Sequence, residues 1–439
     1  MRRTRYAIVG TGARASMFID PIAGRFAADT DLVGLCDSSI TRRTYHQQRL
    51  IRDFGYRSVP TYASFDDMLT AQKPDVVIVC TPDCTHHEYI VKGLDYGADI
   101  ISEKPLTTDA QKCQVIFDAI ARTGRKVRTT FNLRWSPGVS KVRELIAQGS
   151  IGQIKHVDFE YTLNTSHGAD YFRRWHSDKE FSGGLLIHKA THHFDLINWW
   201  IDGIPSFVFA LGDLVFYGKK NAVARGDGHL TGYPRYTGFP ESKADPFRFT
   251  VDDDPALSEL YYQAEPESGY IRDQNVFREG ITIEDSASLL VKYRTGVMLA
   301  YSLNAFSPIE GFRATISGDK GRIDYQEQHE AHIIVAGKTV NSSSHTMHLR
   351  LQELFSEQQD VPIAELEGGH GGGDPLIQEQ IFSSDPPVDW LKRNAGHEQG
   401  AASLLVGAAA NRSIANGQPV KINDLLCLNP RAKHLSELI

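Results

Sequence analysis

The sequence predicts an α/β protein in two parts. A parallel sheet with crossover helices runs to about residue 135, and an α/β part on a large, mostly antiparallel open sheet fills 136–439. Three observations lead there. Short apolar runs alternate with helical patterns over the first third. The run Val76-Val-Ile-Val-Cys80 lacks polar alternation, as a strand covered on both faces does. From Ser136 onward, alternating strands joined by tight turns replace that rhythm. A chain of 439 residues is also too long for one ordinary core.

In order, the expected strands of the first part are Tyr6–Val9, Leu32–Cys36, Val76–Cys80, Ile100–Ser102 and Val127–Thr130. Thr85-His-His-Glu88 and Thr108-Asp-Ala-Gln111 have the spacing of capping boxes, in which a hydroxyl and a carboxylate or amide satisfy free amides at a helix start. The second part is expected to pair Val157–Leu163, Ser288–Tyr293, Gly296–Leu303, Arg313–Ser317 and Gly321–Tyr325 through the turns Arg294-Thr-Gly and Gly318-Asp-Lys-Gly321. Residues 218–256, rich in Gly, Pro and charge with few apolar anchors, are expected to be an insertion over the substrate side. The tract Gly368-Gly-His-Gly-Gly-Gly-Asp374 fits either a linker or a site loop. Ala401–Ile414 is an alanine-rich helix expected to pack back on the first domain.

Composition narrows the function. Hydrophobic residues make up 41% and charged ones 23%, and no apolar run reaches the ~20 residues of a membrane span. The basic start leads straight into a strand without the apolar stretch and cleavage site of a signal peptide, so a cytoplasmic protein is expected. A net charge of −7 argues against nucleic acid. Five cysteines (Cys36, Cys80, Cys84, Cys113 and Cys427) show no metal-ligand spacing and read as reduced packing residues.

The first chemical signal is Gly10-Thr-Gly-Ala-Arg-Ala15, a G-x-G-x-x-A turn between a strand and a helix. Its glycines allow a tight turn and close approach of a pyrophosphate, which the free amides of the helix start then hold. Asp37 ends the second strand, where a carboxylate accepts hydrogen bonds from the adenosine ribose. A 2′-phosphate would be repelled there, so NAD is the expected cofactor, with Arg42 and Arg43 leaving NADP open. Cys80-Thr-Pro-Asp-Cys-Thr85 and Ile101-Ser-Glu-Lys-Pro105 lie at the carboxyl ends of two further strands, the side on which open α/β sheets bind ligands. An ammonium there is costly unless paired or used, so Lys104 is a candidate proton carrier tethered or tuned by Glu103.

In that order and spacing these motifs, with Gly183-Gly-Leu-Leu-Ile-His-Lys-Ala-Thr-His192, resemble the Gfo/Idh/MocA family of glucose-fructose oxidoreductase, inositol dehydrogenase and their relatives. The resemblance covers nearly the whole chain. It implies a Rossmann domain over 1–135 and, over 136–439, a substrate-binding α/β domain whose open sheet often mediates contacts in a homo-oligomer, here a dimer or tetramer. It also implies a nicotinamide that oxidises a secondary hydroxyl of a sugar, glycoside or cyclitol, and it places Lys104 and His192 at the reacting hydroxyl. The expected cofactor contacts are Gly10, Thr11, Gly12, Ala13, Arg14, Asp37, Thr81, Pro82, His86, Glu103 and Lys104. One departure stands out: many relatives carry an aspartate four residues before the histidine, where this chain has His188.

On a continuous helix, at about 100° per residue, His188, His192, Asp195 and Trp199 would share one face, while Ala190, Phe194, Ile197 and Ile201 would share an apolar one. A base must take the hydroxyl proton for hydride transfer, and His192 with Lys104 could bracket that oxygen while His188 orients or relays. A metal held by His188, His192 and Asp195 is the competing arrangement, disfavoured because no zincin glutamate or nearby cysteine supports it; no metal is expected. His193 falls off that face and reads as a packed or oligomer-contact residue. Aromatic walls with charged donors suit sugars. Asp170, Arg173, Trp175 and His176, with Asn132 and Arg134 further back, are therefore the substrate candidates beside His188 and His192. Two other functions use the same residues: a redox-neutral, NAD-dependent glycosidase that oxidises, eliminates, hydrates and re-reduces, and a non-catalytic nucleotide-binding regulator.

Overall fold

The computed structural model describes residues 2–335, 338–364, 366 and 369–438. The chain divides into two compact units. The first comprises Met1–Trp135, Val251–Arg272 and Gly368–Ala401; the second comprises Ser136–Thr250, Asp273–Glu367 and Ala402–Ile439. The helix His397–Asn416 is shared out between them after Ala401.

In the first unit, β1 (Thr4–Val9), β2 (Thr30–Cys36), β3 (Thr61–Tyr62), β4 (Val76–Val79), β5 (Asp99–Ser102) and β6 (Val127–Thr129) form a parallel sheet in the order β6-β5-β4-β1-β2-β3. The short strand Ala395–Gly396 extends it, antiparallel to β6. The order turns back at β1 and β4, and ligands of open α/β sheets bind beside such a switch. Val77, Ile78 and Val79 are fully buried, which is why β4 needs no polar alternation. Tyr6, Ile8, Phe18, Leu32, Leu35 and Ile78 build a core closed by Ile377, Ile381 and Phe382, with the Tyr6 and Phe382 rings edge to face at 5.3 Å. Each large apolar side chain buried there is worth roughly 1.5–3 kcal/mol.

The second unit holds β7 (Ile154–Asn164), β8 (Pro205–Asp213), β9 (Ser286–Tyr293), β10 (Met298–Ser307), β11 (Gly311–Gly318) and β12 (Gly321–Gln328). Thr346–Glu353 and Gln359–Asp360 continue the sheet beyond β12, and Val420–Lys421 beyond β8. Every pairing is antiparallel except β7 with β10. Alternate residues of β9 are buried and exposed, so one face forms a core while Leu211, Leu290 and Met298 lie on the other, open face. On the buried face Phe159 stacks with Phe312 at 5.2 Å and with Tyr301 at 5.8 Å.

Several expectations are corrected. The helix His86–Asp95 has no side-chain cap: the Thr85 hydroxyl is spent on Pro82 O and Thr81 Oγ1 within the preceding turn. The next helix is capped by Asp109, not Thr108, because Asp109 accepts the Lys112 amide at 2.8 Å. Of residues 218–256, expected to have few apolar anchors, 218–250 are anchored within the second unit and 251–256 belong to the first. Tyr217 and Tyr236 are fully buried, Tyr233 donates to Asp245 at 2.6 Å, and Arg235 pairs with Asp273 at 2.6 Å. Tyr233 and Tyr236 bury ring area while the Tyr233 hydroxyl finds a carboxylate, which an apolar count overlooks. The glycine tract is no linker: from Gly369 it forms the start of the helix Gly369–Phe382, while residue 368 lies outside the described residues. Cys36 and Cys113 are buried packing residues and Cys427 is exposed. Among the described residues no helix is long and apolar enough to cross a membrane.

Candidate active site

The glycine turn is fixed by sterics. Gly10 has φ +86, and a Cβ there would lie 2.6 Å from the Cys80 carbonyl carbon at the end of β4. Only glycine lets β1 turn so close to its neighbour. The chain then enters a single 3₁₀ turn, Ala13–Ala15, and the α-helix Ser16–Ala23. The Ala13 amide donates to the Tyr261 hydroxyl at 2.8 Å, so an oxygen acceptor already sits against the first turn. That is the chemistry a pyrophosphate oxygen presents, and the cradle fits the dinucleotide.

Around this turn the predicted contacts gather within the first unit. Asp37 accepts the Thr11 amide at 2.8 Å and the Thr11 hydroxyl at 3.2 Å, and its other oxygen accepts the Ser39 amide at 2.9 Å. Arg14 Nε donates to Glu103 Oε1 at 2.7 Å, and the Lys104 amide donates to Glu103 Oε2 at 3.2 Å. Glu103 therefore ties the end of β5 to the glycine turn. His86 straps two loops together, its Nδ1 2.8 Å from Pro105 O and its Nε2 2.9 Å from Thr81 O. Burial lowers the His86 pKa and prevails over the two carbonyls, which favour a second proton. The Lys104–Pro105 peptide is cis.

In the second unit the histidine segment is broken rather than continuous. Leu185–His188 and Thr191–Trp200 are separate helices joined through Lys189 and Ala190, so His188 and His192 do not share one helix face. Nor is the second helix amphipathic: all ten residues from Thr191 to Trp200 are buried. His193 packs against Phe159 and its Nδ1 lies 2.9 Å from the Tyr301 hydroxyl. What His188 meets is another imidazole. The His176 ring lies 4.2 Å from it, with Trp175 at 5.6 Å and Tyr171 at 5.7 Å, and Trp175 stacks on His176 at 3.8 Å. The stretch 167–176 and the motif at 184–192 thus form one wall of rings.

The other substrate candidates make contacts within their own units. Arg134 is fully buried, with Nη1 3.3 Å from Gln399 Oε1. Asn132 donates to Asp374 at 2.8 Å. Arg173 donates to Phe247 O at 2.6 Å and sits over the Phe249 ring, holding the 218–250 segment, and Asp170 pairs with Arg174 at 2.7 Å.

Some chemically active neighbours escaped the sequence. Lys189 places its ammonium 5.0 Å above the Tyr161 ring; burial lowers its pKa while Glu310 pulls the other way. Glu310 accepts from His167 at 2.7 Å and from Tyr161 at 3.2 Å. Burial pushes this carboxyl up, but bonds from His167 and His329 outweigh it and hold the pKa well below the carboxylate range. His46, fully buried beneath the glycine turn, is pushed down to about 4, first by burial and then by Arg49. Only contacts spanning long stretches of chain reveal these roles. Among the described residues no three His, Cys, Asp or Glu side chains are grouped to hold a metal.

Comparison with known proteins follows the same division. Residues 4–131 match the NAD-binding Rossmann fold of the Gfo/Idh/MocA oxidoreductases, and residues 143–422 match the C-terminal alpha/beta domain of the same family. The chain belongs to the Gfo/Idh/MocA oxidoreductase family. It is an oxidoreductase with an NAD-binding domain, and its nearly full-length relatives include YteT of Bacillus subtilis (strain 168), whose name carries only the class oxidoreductase. The two are 37% identical over 95% of this chain and 97% of that one. The D-glucoside 3-dehydrogenase of Escherichia coli (strain K12) is 30% identical over 46% of this chain and 55% of its own length. Among solved structures, the WlbA dehydrogenase of Bordetella pertussis in complex with NADH and UDP-GlcNAcA shares the fold. Its TM-score is 0.61 at 18% identity, over 96% of this chain and 99% of that one.

Proposed function

We propose that this member of the family oxidises a secondary hydroxyl of a sugar, glycoside or cyclitol, with NAD as the hydride acceptor. The observation that carries the reading is the wall of Tyr171, Trp175, His176 and His188 in the second unit. Its ring faces suit the C–H surface of a sugar, and its imidazoles offer both donors and acceptors to hydroxyls. A glucoside dehydrogenase among the relatives and a nucleotide sugar in a structural neighbour support the same substrate class.

When bound, the nicotinamide supplies the hydride acceptor. His192 takes the proton from the hydroxyl, and His188, in contact with His176, passes it on or fixes the orientation. Lys104 stands at the end of β5 in the cofactor-binding unit, on the loop that the Arg14–Glu103 pair positions. With a histidine at position 188, this step depends on the protonation state of the imidazoles.

The test offers a panel of sugars, cyclitols and aryl glycosides with NAD, following reduced nicotinamide and aglycone together. Stoichiometric reduction is expected. Aglycone release without net reduction would replace the reading with a redox-neutral glycosidase. Silence across the panel despite tight NAD binding would leave a nucleotide-binding regulator.

A further inference from the structure

We propose that Glu267, far along the chain from the glycine turn, excludes NADP by filling the anion position beside Asp37. The inference rests on the Rossmann unit binding NAD. In such a unit the carboxylate at the end of the second strand receives the ribose hydroxyls, and the first turn of the next helix supplies the donors that a 2′-phosphate needs. Here those donors belong to Ser39, Thr41 and Arg42 at the start of the helix Ile40–Phe54.

The structure commits each of them elsewhere. Ser39 Oγ donates to Glu267 Oε2 at 2.6 Å, the Thr41 amide reaches the same oxygen at 3.3 Å, and the Thr41 hydroxyl bonds Glu267 Oε1. Arg42, the cation best placed for a phosphate, gives its Nε to Leu260 O at 3.2 Å, lies over the Tyr261 ring at 5.4 Å and stands 3.8 Å from Asp37. Arg43 Nε donates to Ser39 O at 3.2 Å. Ser39 thereby links two carboxylates, its amide on Asp37 and its hydroxyl on Glu267. A helix start favours one anion, and this one has it from its own chain.

The arrangement is docked. Val251, Leu260 and Tyr261 form a small buried cluster with Tyr45 of the Ile40–Phe54 helix, which carries the segment 251–272 and with it Glu267. An incoming 2′-phosphate therefore meets two negative charges and donors already in use. Because Glu267 is near the surface, the repulsion is screened by salt.

The experiment titrates wild type, Glu267→Gln and Glu267→Ala with NAD, NADP and adenosine 2′,5′-bisphosphate, reading protein fluorescence and melting temperature. Wild type is expected to bind NAD at least ~100-fold more tightly than NADP. Each variant should tighten NADP and the bisphosphate about tenfold at low salt, with NAD changed less than about threefold, as removal of one nearby charge implies. The gain should shrink at high ionic strength. Unchanged NADP affinity in both variants at wild-type melting temperature overturns the inference while leaving NAD binding intact. Equal wild-type affinity for the two cofactors overturns it as well. A wild type that binds neither dinucleotide fails the cofactor reading itself, and the inference with it.

Discussion

The glycine turn after β1 and the histidine segment 184–200, one in each unit, are built in opposite ways. The turn acts through backbone: a positive φ at Gly10, an amide at Ala13, and a Thr11 amide held by the Asp37 carboxylate at the end of the neighbouring strand β2. The histidine segment presents side chains, and the rings around His188 come from two other elements, Tyr171 from the helix Thr165–Arg173 and Trp175 and His176 from the turn Trp175–Ser177. Backbone recognition is written locally, whereas proton chemistry is written in tertiary neighbours.

The largest effect should separate the two regions cleanly. His192→Ala is expected to cut kcat about 10²–10⁴-fold while NAD affinity stays within threefold, measured by steady-state rates and cofactor titration. Loss of folding in this variant would make the histidine structural and erase the contrast. Gly10→Ala should do the reverse. Its Cβ collides with the Cys80 carbonyl and its φ disfavours a side chain, so NAD binding should vanish and stability fall by about 2–4 kcal/mol in denaturant titration.

The units should also fail at opposite ends of the pH scale. His46 and His397, both of the first unit, are pushed down to about 4, chiefly by burial. Unfolded, they take protons near 6.5, so their contribution is complete above that pH and is lost as pH falls toward 4. For His46 alone this is worth on the order of 3 kcal/mol. His329 of the second unit is raised to about 9: burial opposes the charge, but Glu310 and Glu327 prevail. Its contribution is complete below 6.5 and is lost as pH rises through 9. Hydrogen exchange resolved by unit between pH 4 and 10 should show the first unit weakening in acid, and His329→Gln should remove the alkaline loss of the second. The smallest effect is expected from His176→Phe. It keeps the ring but loses the polar atoms, so KM for the proposed sugar substrate should rise severalfold with NAD affinity unmoved.

Legibility followed the same contrast. β1, β2, β4, β5 and β6 were readable because buried parallel strands are plain apolar runs, while two-residue β3 leaves no such trace. The cofactor turn was readable from Gly10 and Asp37, which stand at fixed spacing in one supersecondary unit. The capping boxes were misplaced by one helix start and one residue, since several hydroxyls and carboxylates competed for the same amides. Helical periodicity concealed the break at Lys189, and nothing near residue 37 announces Tyr261 or Glu267.

The first unit is assembled from three separated stretches, the last ending at Ala401. During synthesis its strands emerge early, yet Tyr6 and Phe26 wait for Phe382 to cover them. At ribosomal rates of ~5–20 residues per second that delay lasts tens of seconds. A nascent chain in this condition exposes a nearly finished nucleotide fold with one open flank, and it is then that a holding chaperone would matter most.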